Sequence, residues 1–190
     1  EIEFETHYSP FFMPTIRGSE LGSKKRYAGQ KIDAQGNKEI VFKGLEAVRS
    51  DWTGLAKKFQ AELFKLIFNG DDCKDLITSI LVSLRSGELD SDLVYSKKIR
   101  QPLNSYVKTT PPHIKAARHA NKNNDLSLFG RGSVIDYLIT VNGPREINNQ
   151  DSPIDYDYYI EKQLFPIAKS LLENYSSGWT CLFDAQISLF

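Results

Sequence analysis

Residues Ser23 to Gly29 read Ser-Lys-Lys-Arg-Tyr-Ala-Gly, three adjacent cations followed by an aromatic. Adjacent cations repel one another, and a nearby polyanion relieves that strain. Lys and Arg neutralise phosphates, and Tyr packs on sugars or bases, so Lys24, Lys25 and Tyr27 are candidate nucleic-acid contacts. The competing reading of such a run is a solvated basic turn. A second cationic stretch carries Lys97, Lys98, Arg100, Lys108, Lys115 and Arg118 with no acid between Lys97 and Arg118. It contains His113, which follows Pro112 at an expected helix start. Free backbone N–H groups favour a phosphate there, although a helix-capping or structural role fits His113 equally. Two paired acids, Asp90-Ser91-Asp92 and Asp155-Tyr156-Asp157, superficially offer carboxylates for two-metal chemistry. The first falls in an acidic loop and the second suits helix capping, so neither is read as catalytic. No catalytic residue and no metal-ligand set is assigned.

These residues must be held by the elements around them, which divide the chain in two. The first forty-odd residues read as mostly β. Ile2, Phe4 and Thr6 alternate with polar neighbours, Phe11 to Ile16 continues as an apolar strand, and a loop runs between Gly18 and Gly22. Arg26 to Ile32 and Glu39 to Phe42 form a hairpin around Gln35-Gly36-Asn37. The period then changes to helical. Ser50 or Asp51 is expected to cap a helix with Trp52, Leu55, Ala56, Phe59, Leu63, Leu66 and Ile67 inward, ended by Asn69-Gly70. Asp72 starts a second, with Leu76, Ile77, Ile80, Leu81 and Leu84 on one face, stopped at Gly87; the short link predicts an antiparallel pair. Leu93-Val94-Tyr95 is ambiguous. Pro111-Pro112 opens a short helix to Asn121, Val134 to Val141 reads as a strand, and a long loop is expected from Asn142-Gly143-Pro144 to Asp155. A long helix from Asp155 to Tyr175 should kink at Pro166, with Tyr158 and Tyr159 in its core face. The stretch from Trp179 to Phe190 has no clean period.

Composition sets bounds. The 190 residues are 41% hydrophobic and 25% charged with zero net charge, ordinary for a globular chain. Binding to a polyanion therefore requires local asymmetry. Cys73 and Cys181 lack metal-ligand spacing and read as reduced thiols of a cytoplasmic protein. The acidic, alternating start is unlike a secretory signal, and no apolar run approaches a membrane span. The chain opens within a strand pattern and reads as a piece of a longer protein.

The motifs support more than composition does. Lys24-Lys25-Arg26-Tyr27-Ala28-Gly29 resembles the lysine-tyrosine motif in the palm of family B DNA polymerases. Lys43-Gly44-Leu45-Glu46-Ala47-Val48-Arg49-Ser50-Asp51-Trp52 resembles that family's palm-to-thumb signature. Pro112-His113 with Ala116-Ala117, Arg131-Gly132-Ser133-Val134 through Tyr137, and Tyr158-Tyr159-Ile160 with Gln163 and Pro166 resemble three further blocks, in family order. The tail, with Gln186, Leu189 and Phe190, resembles the Q-x-x-L-F peptides with which bacterial proteins dock on a sliding clamp.

The resemblance implies an α+β fold: short palm-derived strands over residues 1–45, a mainly helical thumb with a small β element over 46–178, and a clamp-binding tail over 179–190. It implies that the chain grips duplex primer-template DNA within a longer polymerase that uses dNTPs and Mg²⁺. The catalytic carboxylates of the family lie upstream of the lysine-tyrosine motif, so this piece needs no cofactor and should be inactive alone. Lys24 and Lys25 would test minor-groove acceptors shared by all correct pairs, and Tyr27 would pack at the primer backbone. Arg26, alternating to the other side of its strand, reads as a surface cation. Lys97, Lys98, Arg100, Lys108, His113, Lys115 and Arg118 would track phosphates. Partners implied are duplex DNA, the sliding clamp and the rest of the polymerase, with no membrane. The alternatives are a stand-alone, non-catalytic DNA-binding adaptor for the clamp, or a single-strand RNA-binding module. Palm carboxylate motifs upstream of Glu1 favour the polymerase, and a start codon there favours the adaptor.

Overall fold

A computed structural model describes residues 6–15, 22–23, 25–122, 128–173 and 180–187. The expected strand around Ile2 and Phe4, the loop after Gly18, Lys24, Leu189 and Phe190 lie outside them. The α+β class holds: two three-stranded antiparallel sheets are joined and covered by helices. The first sheet has the order β1 (Phe11–Phe12), β2 (Tyr27–Ile32), β3 (Lys38–Lys43). The hairpin forms where Gly36 and Asn37 suggest it. The Asp33 carboxylate accepts from the Gln35 and Asn37 backbone N–H groups at 2.9 and 2.8 Å, which closes the turn locally. Alternation then turns Ile40 and Phe42 toward helix α1 (Gly54–Asn69), where Phe42 and Phe12 meet the Phe64 ring edge-on at 5.5 and 5.4 Å.

Helix α1 begins later than the capping residues Ser50 and Asp51 would allow. Arg49 holds the Asp51 carboxylate at 2.9 and 2.6 Å, and Thr53 becomes the N-cap, accepting from the Ala56 N–H. Trp52 therefore precedes the helix. The helix ends at Gly70, whose φ of 81° supports bonds back to the Ile67 and Leu66 carbonyls. Helix α2 (Lys74–Arg85) follows, its first N–H bonded to the Asp72 carboxylate at 2.9 Å. The expected α1–α2 pair is not the principal contact of either helix. Helix α1 lies on α5 (Phe165–Leu172), and α2 lies on α6 (Thr180–Ile187). The reason is apolar shape: Phe59 and Leu63 of α1, Ile167 and Leu171 of α5, Ile77 and Leu81 of α2 and Phe183 of α6 are all buried, and Phe183 also meets Phe165 of α5 edge-on at 5.4 Å. Each such burial contributes about 1.5–3 kcal/mol, more than a short loop can enforce.

The second sheet has the order β4 (Tyr95–Lys98), β5 (Val134–Thr140), β6 (Gly143–Glu146). Two readings change here. The ambiguous segment at Leu93-Val94-Tyr95 enters an edge strand at Tyr95. Asn142-Gly143-Pro144 turns the chain into β6 rather than opening a long loop, with Thr140 opposite Gly143. Pro144 is tolerated because β6 is an edge. Helix α3 (Pro112–Lys122) buries Ile114, Ala116, Ala117 and Ala120, and it packs on β5 and β6. The last long helix is broken: α4 (Tyr156–Tyr159), a π-helical turn (Ile160–Leu164), then α5. Pro166 has no N–H and its ring clashes with the preceding turn, so the helix widens just before it. The Phe165 N–H reaches back five residues to the Ile160 carbonyl.

Candidate nucleic-acid interface

The basic motif and the Lys43-to-Trp52 segment are one structural unit. Gly44 has φ of 61°, and a Cβ there would lie 2.3 Å from the Lys25 carbonyl oxygen. Only glycine lets these two backbones touch. Arg26 is not merely a surface cation: its side chain stays partly exposed, but its Nη2 donates to Glu46 Oε1 at 2.5 Å. The other Glu46 oxygen accepts from Gln60 Nε2 at 2.7 Å, and Gln60 Oε1 accepts from the Ala47 N–H at 2.7 Å. Gln60 is fully buried and Glu46 nearly so. This relay ties the start of β2 to α1 and leaves Lys25 exposed at its side. Tyr27 clusters with Phe11 and Tyr8, at ring distances of 5.3 and 6.1 Å. Glu46, within Lys-Gly-Leu-Glu, and Gln60 carry no local sequence signal for this joint.

Lys97 faces the same side of β4 as Tyr95, and Lys98 faces the other, so the two do not share a surface. Lys97 lies close enough to Asp51 and His113 to influence both carboxyl and imidazole. The Lys43-to-Trp52 segment, β4 and the start of α3 thus converge. Burial, and then the Lys97 ammonium, hold the His113 imidazole below its ordinary pKa of 6.5. The Arg49 guanidinium beside Asp51 holds that carboxyl below its ordinary range. A cleft of about 260 Å³ opens at this junction, lined by Arg49, Asp51, Trp52, Tyr95, Lys162 and Gln163. Buried Gln163 bonds with the Thr53 hydroxyl and the Tyr95 hydroxyl, so the π turn is fastened to the cap of α1 and to β4. Arg49 and Lys162 were not among the expected contacts. Arg49 lies within the Lys43-to-Trp52 motif, and only the fold brings Lys162 beside it.

The remaining cations are distributed. Arg100, Lys108 and Lys115 are exposed. Arg118 is committed inside the chain, donating to the Leu103 and Tyr106 carbonyls at 2.6 and 3.2 Å and to the Thr110 hydroxyl at 3.4 Å. The paired acids are also occupied. Asp90 accepts from the Tyr156 hydroxyl at 3.0 Å and Asp92 from Lys58 at 2.7 Å. Asp155 caps α4 and Asp157 pairs with Arg85 at 2.6 Å. Among the described residues no three His, Cys, Asp or Glu side chains are grouped to hold a metal ion. Tyr159 is core, as expected: it is buried, and its hydroxyl accepts from the Ile139 N–H at 2.8 Å. Gln186 lies in α6, while Leu189 and Phe190 fall outside the described residues.

Residues 1–175 match the model of DNA polymerase family B. The chain is 44% identical over its whole length to DNA polymerase II of Escherichia coli K12, of which it spans 25%. It is 28% identical to a DNA polymerase of Archaeoglobus fulgidus over 95% of this chain and 24% of the relative. It is 30% identical to a DNA polymerase of Pyrococcus horikoshii over 91% of this chain and 14% of the relative. The chain thus spans a quarter or less of the length of these relatives. With the family model matching most of its length, the chain belongs to DNA polymerase family B.

Proposed function

We propose that this chain is the duplex-gripping part of a DNA-directed DNA polymerase, with residues 1–45 ending the palm and 46–178 forming the thumb. The observation that supports it best is the convergence at one junction of Lys97, His113, Arg49 and Lys162, next to the interlocked unit that carries Lys25 and Tyr27. Family membership supplies the class of ligand. Phosphates would be met by Lys25, Lys97, Arg100, Lys108, Lys115, Arg49 and Lys162, with His113 gaining a proton as a phosphate approaches; Lys98, on the opposite face of β4, is set aside. Lys24 joins them by position in its motif. Tyr27, with Tyr8 and Phe11 behind it, offers an aromatic face to the primer backbone.

The whole enzyme would join dNTPs using Mg²⁺. The described residues do not fit such a metal site, because the paired acids are taken up by Lys58, Arg85, Tyr156 and a helix cap. This chain alone is therefore expected to grip DNA without polymerising it. Primer-template affinity should be measured against salt for the chain and for the double variant Lys24→Ala, Lys25→Ala. Each lost phosphate contact should flatten the slope of log affinity by about 0.9. An unchanged slope with weaker binding would instead assign these lysines to the groove. An unchanged affinity would remove them from the interface altogether.

The tail would tether the polymerase to a ring-shaped sliding clamp, with Leu189 and Phe190 as adjacent apolar plugs and Gln186 as the polar contact. Deleting Ser188 to Phe190 should abolish clamp binding and spare DNA affinity. Clamp affinity that survives the deletion rules the tail out.

A further inference from the structure

Arg118 lies on α3 in the cationic stretch, yet its guanidinium is turned inward. Between β4 and α3 the chain makes no strand. Its only regular piece there is a 3₁₀ turn at Leu103–Ser105. Ser105 stabilises that turn locally, donating from its hydroxyl to the Pro102 carbonyl at 2.7 Å. Three groups of this segment converge on one side chain. Arg118 Nη2 donates to the carbonyls of Leu103 and Tyr106, and Nη1 to the Thr110 hydroxyl. Thr110 in turn donates to the Tyr106 carbonyl at 3.3 Å, which closes the ring. The planar fork of guanidinium suits this arrangement, since several donors leave one rigid group in fixed directions. The fastened positions, 103, 106 and 110, bracket a tip that projects: Val107 is 84% exposed, and Lys108 is exposed beside it.

We propose that Arg118 is a positioning residue, which holds the 101–110 segment in shape so that Lys108 meets a duplex phosphate without having to be ordered first. This rests on the DNA-gripping reading above. A flexible tip would have to lose conformational freedom on binding, whereas a pinned one has already lost it in folding. Arg118 then contributes to affinity without touching DNA, in contrast to the phosphate contact that its place in the cationic stretch suggests.

The test combines a measurement without DNA and a double-mutant cycle with it, on the whole chain. Amide hydrogen exchange over 103–110 should accelerate in both Arg118→Ala and Arg118→Lys, because an ammonium keeps the charge and loses the fork. Primer-template affinity should fall roughly three- to tenfold in Arg118→Ala, in Arg118→Lys and in Lys108→Ala alike, the scale of one charged contact. The double variant Arg118→Ala, Lys108→Ala should lose little more than the larger single loss, because the residues act as one unit. Circular dichroism checks that Arg118→Ala folds; if it does not, Arg118→Lys decides. Affinity retained by Arg118→Lys, losses that multiply in the double variant, or unchanged exchange would each overturn the proposal. If the unaltered chain shows no duplex affinity, the DNA reading itself fails, and the exchange data keep that failure distinct from loss of the pin.

Discussion

Replacing Glu46 by Ala probes the joint between the basic motif and α1. Glu46 accepts from Arg26 at 2.5 Å and from Gln60 at 2.7 Å. The two donors differ in what happens when the carboxylate goes. Gln60 is fully buried, so its amide loses its acceptor where water cannot replace it, at a cost of about 1–3 kcal/mol. The Arg26 side chain is 40% exposed, so its guanidinium rehydrates, and the lost pair adds at most about 1 kcal/mol. The sum is a destabilisation of about 1–4 kcal/mol, which for a chain of this size lowers Tm by roughly 2–16 °C. Urea unfolding should show the midpoint falling with the slope m unchanged. Glu46→Gln keeps an acceptor for Gln60 and should lose less. A cycle pairing Glu46→Ala with Gln60→Ala should reveal coupling of about 1 kcal/mol or more. A Glu46→Ala loss under about 0.5 kcal/mol, the size of an ordinary surface substitution, would refute the reasoning.

Two more outcomes follow from the same geometry. Gly44→Ala forces a side chain into the left-handed region, about 1–2 kcal/mol, and adds a clash with the Lys25 carbonyl. It should lower the urea midpoint and weaken primer-template binding together, and a variant as stable and as tight as the parent would contradict the close approach. His113 titrates below its ordinary 6.5 in the folded chain, so the folded state holds fewer protons than the unfolded one. The stability linked to His113 is therefore present above pH 6.5 and is lost as pH falls through the depressed folded pKa. A bound phosphate raises that pKa, so duplex affinity should rise as pH falls through the bound and then the depressed free value. NMR titration should place the imidazole midpoint low and return it part-way in Lys97→Gln. A midpoint at the ordinary value, or an affinity independent of pH, would remove His113 from the interface.

Much of this was legible in one dimension. The β-to-helix change near residue 45, the Gly70 stop, the Gln35-Gly36-Asn37 hairpin and the break at Pro166 all rest on local chemistry. Turn residues, caps and missing N–H groups act within a few positions of themselves. The ordered motifs also sufficed to mark the family. What stayed hidden depends on distant partners. Asp51 would have capped α1 had Arg49 not taken its carboxylate. The segment around Gly143 became a strand because β5 offered it an edge. Helices α1 and α2 sought α5 and α6 rather than each other, because buried apolar shape outweighs a short loop. The cationic stretch shows the divide most clearly. Sequence counts six like charges and suggests one phosphate-facing surface. The pleat of β4 sends Lys97 and Lys98 to opposite faces, and the carbonyls of Leu103 and Tyr106 draw Arg118 inside. Charge is a property of a residue, but the direction in which it points is decided by which buried acceptors the fold brings within reach.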